Sequence, residues 1–152
     1  MRISNFAVVA ALSLNLIAVA QEKKIERKDL PPAVEKTAAA QSEGAIIKGF
    51  SQEKENGQTF YEAEMMVNGH SKDVLIDTSG AVVEVEEQVP LDSLPSPVQD
   101  GLKAKAGSGK IVKVESLTKH DKLVAYEAVV ETGGKKKEVQ VGPDGQPLAH
   151  EE

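Results

Sequence analysis

Apolar positions recur along this chain with two periods, and the period switches at regular points. Leu30, Val34 and Ala38 fall every four residues, and Leu94, Val98, Leu102 and Ala106 do the same. That spacing puts each set on one stripe of a short helix. Asp29 and Ser93 stand where helix caps belong, and Pro31 or Pro32 fits a first turn, where a missing N–H costs nothing. Gly44 and the Gly107/Gly109 pair stop the two helices. Gly101 sits inside the second helix and should weaken it by roughly 1 kcal/mol relative to alanine. After each helix the period drops to two. Strands are expected at 45–51, 58–67, 71–77 and 81–88, then at 110–117, 123–131, 135–141 and 146–149. Turn chemistry separates them: Asn56-Gly57, Asn68-Gly69 and Ser79-Gly80, then His120-Asp121, Gly133-Gly134 and Asp144-Gly145. Such pairs supply the positive φ angles of tight hairpins, so each set of four reads as an antiparallel meander.

The two halves also match residue by residue. Leu30-Pro31-Pro32-Ala33-Val34 aligns with Leu94-Pro95-Ser96-Pro97-Val98 at an offset of 64. Tyr61-Glu62-Ala63 aligns with Tyr126-Glu127-Ala128 at 65, and Gly69, Lys72, Val74 and Gly80 keep that offset to Gly134, Lys137, Val139 and Gly145. A fixed internal period is the mark of a duplicated structural unit. The expected fold is α+β: two tandem repeats, 30–93 and 94–152, each a short helix on a four-stranded antiparallel meander. Residues 21–29 would be a linker. A unit of about 60 residues is marginal alone. The two sheets should therefore join edge to edge, which also hides two open edges, or the helices should pack together.

The helix opening Leu-Pro-x-x-Val, the strand with Tyr61-Glu62-Ala63 and the hairpin Val74-Leu75-Ile76-Asp77-Thr78-Ser79-Gly80-Ala81-Val82-Val83 resemble the PepSY-like domain family. That group is associated with the tandem repeats of the secreted β-lactamase-inhibitor-like proteins. The second unit keeps the hairpin as Val139-Gln140-Val141-Gly142-Pro143-Asp144-Gly145, with Gly142 in place of the strand-end aspartate. The resemblance spans residues 29–149 and implies an exported protein with a binding or inhibitory role and no catalytic residues. The aromatic-rich loops and disulfides of the secreted β-lactamase inhibitors are missing here, which argues against β-lactamase as the target.

The first twenty residues follow another pattern. Arg2 is the only charge before Glu22, the stretch from Ala7 to Val19 is mainly apolar, and it closes on Ala18-Val19-Ala20. A basic start, a short apolar middle and a small-x-small end describe a secretory signal peptide, 1–20. The run is too short to span a bilayer core of roughly 30 Å, so no stable membrane anchor is expected after cleavage. The expected location is the bacterial periplasm, or secretion.

Composition narrows the chemistry. No cysteine is present among the 152 residues, which excludes disulfides, thiolate metal sites, a Cys nucleophile and a lipoprotein anchor. Aromatics make up only 3%, so the core must come from Val, Ile, Leu and Ala. Gly107-Ser108-Gly109-Lys110 lacks the earlier glycine of a phosphate loop, because Ala104 stands there, and a strand follows where a helix is needed. His70, His120 and His150 are too far apart for a zinc spacing. With no G-x-S-x-G elbow, nothing suggests an enzyme or a cofactor. The net charge of −6 argues against nucleic acid. Lys135-Lys136-Lys137 reads as an ordinary hairpin tip.

Alternation assigns the two sheet faces. Tyr61, Ala63, Met65, Val67, Val74 and Ile76, with Tyr126, Ala128, Val130, Val139 and Val141, should pack under the helices. Glu62, Glu64, Asp73, Glu84 and Glu86 should lie on the open face, within a segment, 30–93, that holds twelve acids against four bases. Phe60, Met66, Leu75, Val82, Leu123, Ala125 and Val129 should join them there. A water-facing sheet ought to be more polar, so an apolar patch of this kind suggests an interface. The expected function is a non-enzymatic module that binds, and inhibits or sequesters, an envelope protein or peptide through this face. The expected contact residues are Phe60, Glu62, Glu64, Met66, Leu123 and Glu127. Occlusion or strand addition would do the work, and a homodimer is another way to cover the patch. The alternative is a cation-binding sensor or buffer built on the acidic first unit.

Overall fold

A computed structural model describes residues 22–150 and 152; the expected signal peptide lies outside them. Its elements are β1 (Lys23–Ile25), α1 (Pro32–Gln41), β2 (Ile46–Glu55), β3 (Gln58–Val67), β4 (His70–Asp77), β5 (Val82–Gln88), α2 (Ser96–Ala106), β6 (Lys110–Lys119), β7 (Lys122–Thr132) and β8 (Lys135–Val141). The strands form one eight-stranded antiparallel sheet in sequence order. The two halves meet where β5 pairs with β6, from Glu84 opposite Lys119 to Gln88 opposite Glu115. This is the edge-to-edge junction expected for two marginal sheets.

Both helices lie on the same side of the sheet, α1 over β4 and α2 over β7 and β8. Each covers its own core. Val34 and Ala38 meet Phe50, Ala63, Met65, Val74 and Ile76 in one, and Val98, Leu102 and Ala106 meet Val114, Ala128, Val130, Val139 and Val141 in the other. These are the stripes that the four-residue and two-residue periods define. Side chains such as Leu102 and Val74, fully buried, each contribute about 1.5–3 kcal/mol.

Details of the helix starts differ from expectation. Neither Asp29 nor Ser93 caps a helix; Pro31 and Pro95 occupy the cap positions. Asp29 and Ser93 instead end short 3-10 turns. Asp29 accepts from the Glu26 N–H at 3.2 Å, and the Ser93 hydroxyl donates to the Pro90 carbonyl at 2.6 Å. The prolines set an extended approach and then lose nothing in the first helical turn, so no side-chain cap is used.

Two segments depart from the sequence expectation. Residues 23–25, expected within a linker, form β1 and pair with Gln52, Ser51 and Phe50 of β2. Residues 146–149, expected to be the last strand, form none. Pro147 has no N–H to give to a ladder, and its fixed φ turns the chain away. The turn preceding it nonetheless reproduces its counterpart in the first half. The Asp77 N–H donates to the Ala81 carbonyl at 2.9 Å, and the Gly142 N–H donates to the Gln146 carbonyl at 2.8 Å. The first of these turns leads into β5, the second into Pro147.

Candidate functional site

The face away from the helices is built row by row from the strand register. One row runs Ser51, Glu62, Leu75, Glu84, Lys119; the next runs Gly49, Glu64, Asp73, Glu86, Leu117, Ala125; a third runs Gln88, Glu115, Glu127, Gln140. Phe60 pairs with Glu53 and Asp77, and Met66 with Ile46 and Ser71, at the two ends of β3. Of the expected contact residues, Phe60, Glu62, Glu64, Met66 and Glu127 therefore share this open face.

Leu123 does not. It pairs with Thr118, which pairs with Val85, which pairs with the core residue Val74, so Leu123 lies on the helix-bearing side. Val82 is there too, packed against the first core. In both cases a bulge intervenes: an extra residue in β7, Val124, opposite Leu117/Thr118, and one in β5, Val83, opposite Leu75/Ile76. An inserted residue reverses the alternation beyond it. The expected apolar patch is reduced further because Ala125 and its neighbour Leu117 are buried. Among the described residues the large apolar side chains that are strongly exposed are Ile46 and Val112. Ile46 stands beside Met66 on the open face; Val112 is itself the extra residue of a bulge in β6. The sequence signal that could have found Ile46 is its place in β2, one residue from the turn.

What dominates the open face is carboxylate. A hollow of about 140 Å³ is lined by Glu53, Glu62, Asp73, Leu75, Glu84 and Glu86. Burial pushes the Glu62 carboxyl up to about 7, partly opposed by the Ser51 hydroxyl, which donates to its Oε2 at 3.0 Å. Burial, then repulsion from Glu115, Glu84 and Glu127, pushes Glu86 up to about 8. Glu53, Asp73 and Glu127 are raised as well, with burial the first cause in each. Charge in a poorly solvated place costs free energy, and neighbouring charges of the same sign add to the cost. Two lysines on this face are engaged by carboxylates. Lys113 pairs with Glu115, and Lys119 lies 3.7 Å from Glu84 and 3.5 Å from Glu152. Glu127 accepts from Gln140 Nε2 at 2.8 Å.

The other candidate motifs form no site. Lys110 begins β6 directly after Gly109, so no helix N-terminus stands behind that loop. His70, His120 and His150 are all exposed, at the start of β4, in the β6–β7 turn and in the tail. Lys135, Lys136 and Lys137 are not a turn tip but the exposed first half of the edge strand β8. Two groups of three carboxylates have oxygens close enough to share a cation: Glu22, Glu62 and Glu64, and Asp73, Glu86 and Glu115.

Comparison with known proteins gives the fold. No family model matches the chain, and no curated protein does. Solved structures do. A BLIP-like protein from Bacteroides fragilis is 20% identical with a TM-score of 0.56, over 76% of this chain and 81% of that one. A proposed periplasmic protein from Bacteroides eggerthii is 18% identical with a TM-score of 0.63, over 78% and 85%. A DUF2874 family protein from Bacteroides ovatus is 20% identical with a TM-score of 0.60, over 78% and 84%. The chain thus shares a BLIP-like α+β fold with these proteins, none of which bears an enzyme's name. Among the described residues no helix is long and apolar enough to cross a membrane.

Proposed function

We propose that this chain is an exported, non-enzymatic binding module of two PepSY-like repeats. Its open sheet face takes a basic segment of an envelope protein or peptide. The observation that carries this is the row of half-buried carboxylates from Glu53 to Glu127, several of them held above the usual carboxylate range. A cationic partner seated on that face would turn an unfavourable cluster into charge-assisted hydrogen bonds, which are the strong ones. The corresponding turns at 77–81 and 142–146 support duplication. The short apolar N-terminal run and a neighbour thought to be periplasmic support the location.

Hexa-arginine is a suitable probe. Its affinity should fall with added salt, because the contacts are between charges near the surface. It should also fall from pH 8 to pH 5, as Glu86 and Glu62 take up protons. Glu62→Gln with Glu86→Gln should weaken binding about tenfold. Equal affinity for wild type and the double variant would remove the face from the proposal.

The second reading, a cation sensor or buffer, is favoured by the two carboxylate triads alone. All-oxygen donors suit Ca²⁺ better than Zn²⁺ or Cu²⁺. Calorimetry with the three metals separates the readings, and absence of heat at millimolar metal ends the second.

A further inference from the structure

The outer edge of β8 has no strand paired to it among the described residues, since β8 is last in the sheet. Its counterpart in the first half, β4, has β5 in that place. The two strands approach the position identically. The bonds from the Asp77 N–H to the Ala81 carbonyl and from Gly80 to Asp77 reappear as Gly142 to Gln146 and Gly145 to Gly142. Beyond them, β5 runs back along β4, whereas Pro147 diverts the tail, and Glu152 ends on Gln140 and Lys119 of the open face.

The hydrogen-bonding groups of β8 are set for a partner. In an antiparallel strand the N–H and C=O of one residue point to the same neighbour, and successive residues alternate. The Gly142 N–H points away from β7, toward Gln146, so the amides of Gln140, Glu138 and Lys136 point outward as well. Lys135 to Glu138 are exposed and carry three positive charges against one negative. The β4–β5 pair shows what fits. Val85 sits opposite Val74, Val82 opposite Ile76, and Glu87 opposite Lys72 with an ion pair of 3.5 Å. The equivalents of Val74, Ile76 and Lys72 at the offset of 65 are Val139, Val141 and Lys137.

We infer that the free edge of β8 is a strand-addition site for an extended acidic peptide, with apolar residues facing Val139 and Val141 and a carboxylate facing Lys137. The occupant is set by charge: a basic strand would meet the lysine run. A self-complementary pairing of two copies centred on that run would set lysines against lysines. This inference does not rest on the open-face proposal, which concerns a basic ligand on a different surface.

The probe is a synthetic peptide of residues 81–88, titrated into the full chain and followed by amide chemical shifts. Saturable shifts along 135–141 are expected, with a Kd of about 1 mM or tighter. Glu138→Pro removes an outward N–H and leaves the β7 ladder intact, so binding should weaken at least tenfold while the melting transition persists. Lys137→Glu, a change at an exposed side chain, should weaken binding too, and a peptide carrying Glu87→Lys should restore it. Shifts that map to β1 or the open face, or affinity unchanged in both variants, would overturn the inference. So would a concentration-dependent dimer of the free chain that Glu138→Pro abolishes, because a second copy would then be the occupant. None of these results bears on hexa-arginine binding, so the two proposals fail separately.

Discussion

Gly101→Ala lowers the melting temperature, although alanine is the better helix former. Helix propensity alone favours the substitution by about 1 kcal/mol. Packing opposes it: a Cβ at Gly101 would stand 2.2 Å from the Gly145 carbonyl oxygen and 3.2 Å from Val141 Cγ1. The obstacle is backbone, so a side-chain shift cannot relieve it; α2 must lift from the turn at 142–146 and open the second core. Gly145 makes the reverse approach, with a would-be Cβ 2.1 Å from the Pro97 carbonyl and a φ of +80° that disfavours any other residue. A Cβ at Gly80 would likewise stand 2.7 Å from the Ala33 carbonyl oxygen, at the start of α1. Both helices are thus docked through a glycine turn against the first carbonyls of the helix. We expect Gly101→Ala and Gly145→Ala each to cost about 2–4 kcal/mol, or roughly 10 °C in Tm. Gly57→Ala, in the β2–β3 turn with open space around it and a φ of +80°, should cost no more than the backbone penalty of roughly 1–2 kcal/mol. Thermal melts of the three variants decide it; a stabilised Gly101→Ala would mean that propensity outweighs the contact.

The same comparison shows what the sequence made legible. Period four and period two located both helices and seven of the eight strands, because each buries one continuous apolar stripe. β1 escaped because three residues, two of them lysine, carry no periodic signal; only its pairing with Gln52, Ser51 and Phe50 makes it a strand. The strand expected at 146–149 failed on Pro147, whose consequence was readable from the residue itself. On the candidate site, alternation placed the carboxylates correctly, since β3 and β4 pair without interruption from Phe60/Asp77 to Val67/His70. It failed for Leu123 and Val82, each beyond a bulge that no local composition announces. Gly101 looked like a weakness in its helix for a similar reason: the carbonyl it accommodates lies 44 positions further along the chain.

Folding stability should fall as pH rises from 5 to 8, opposite to the trend expected where native carboxylates are salt-bridged. Glu62, near 7, and Glu86, near 8, lie above the ordinary value of 4.5, and Glu53, Asp73 and Glu127 are raised in the same direction. Between about pH 4.5 and pH 8 the native chain therefore holds more protons than the unfolded one, so each unit of pH gained in that window removes stability. The loss is complete only once the pH has risen past the Glu86 value, so that its carboxylate is ionised in the native chain as well. Asp77 acts the other way and lower down: the Ser79 hydroxyl and the Ala81 amide hold its carboxyl below the usual range, so its contribution is lost only as pH falls through that low value. Lys113, whose hydrogen bond to Glu115 and nearness to Asp73 outweigh the cost of its burial, is held above the usual lysine range and moderates the repulsion without cancelling it. Water reaching these half-buried groups keeps the net change to about 1–2 kcal/mol, on the order of 5 °C between melts at pH 5 and pH 8. Glu86→Gln should raise Tm at pH 8, leave it nearly unchanged at pH 5, and flatten the slope between them. Stability that climbs from pH 5 to pH 8 would show these carboxylates to be well compensated in the free protein. The open face would then hold no unmet negative charge for a basic partner to neutralise, and the coupling between that partner's binding and proton release would vanish with it.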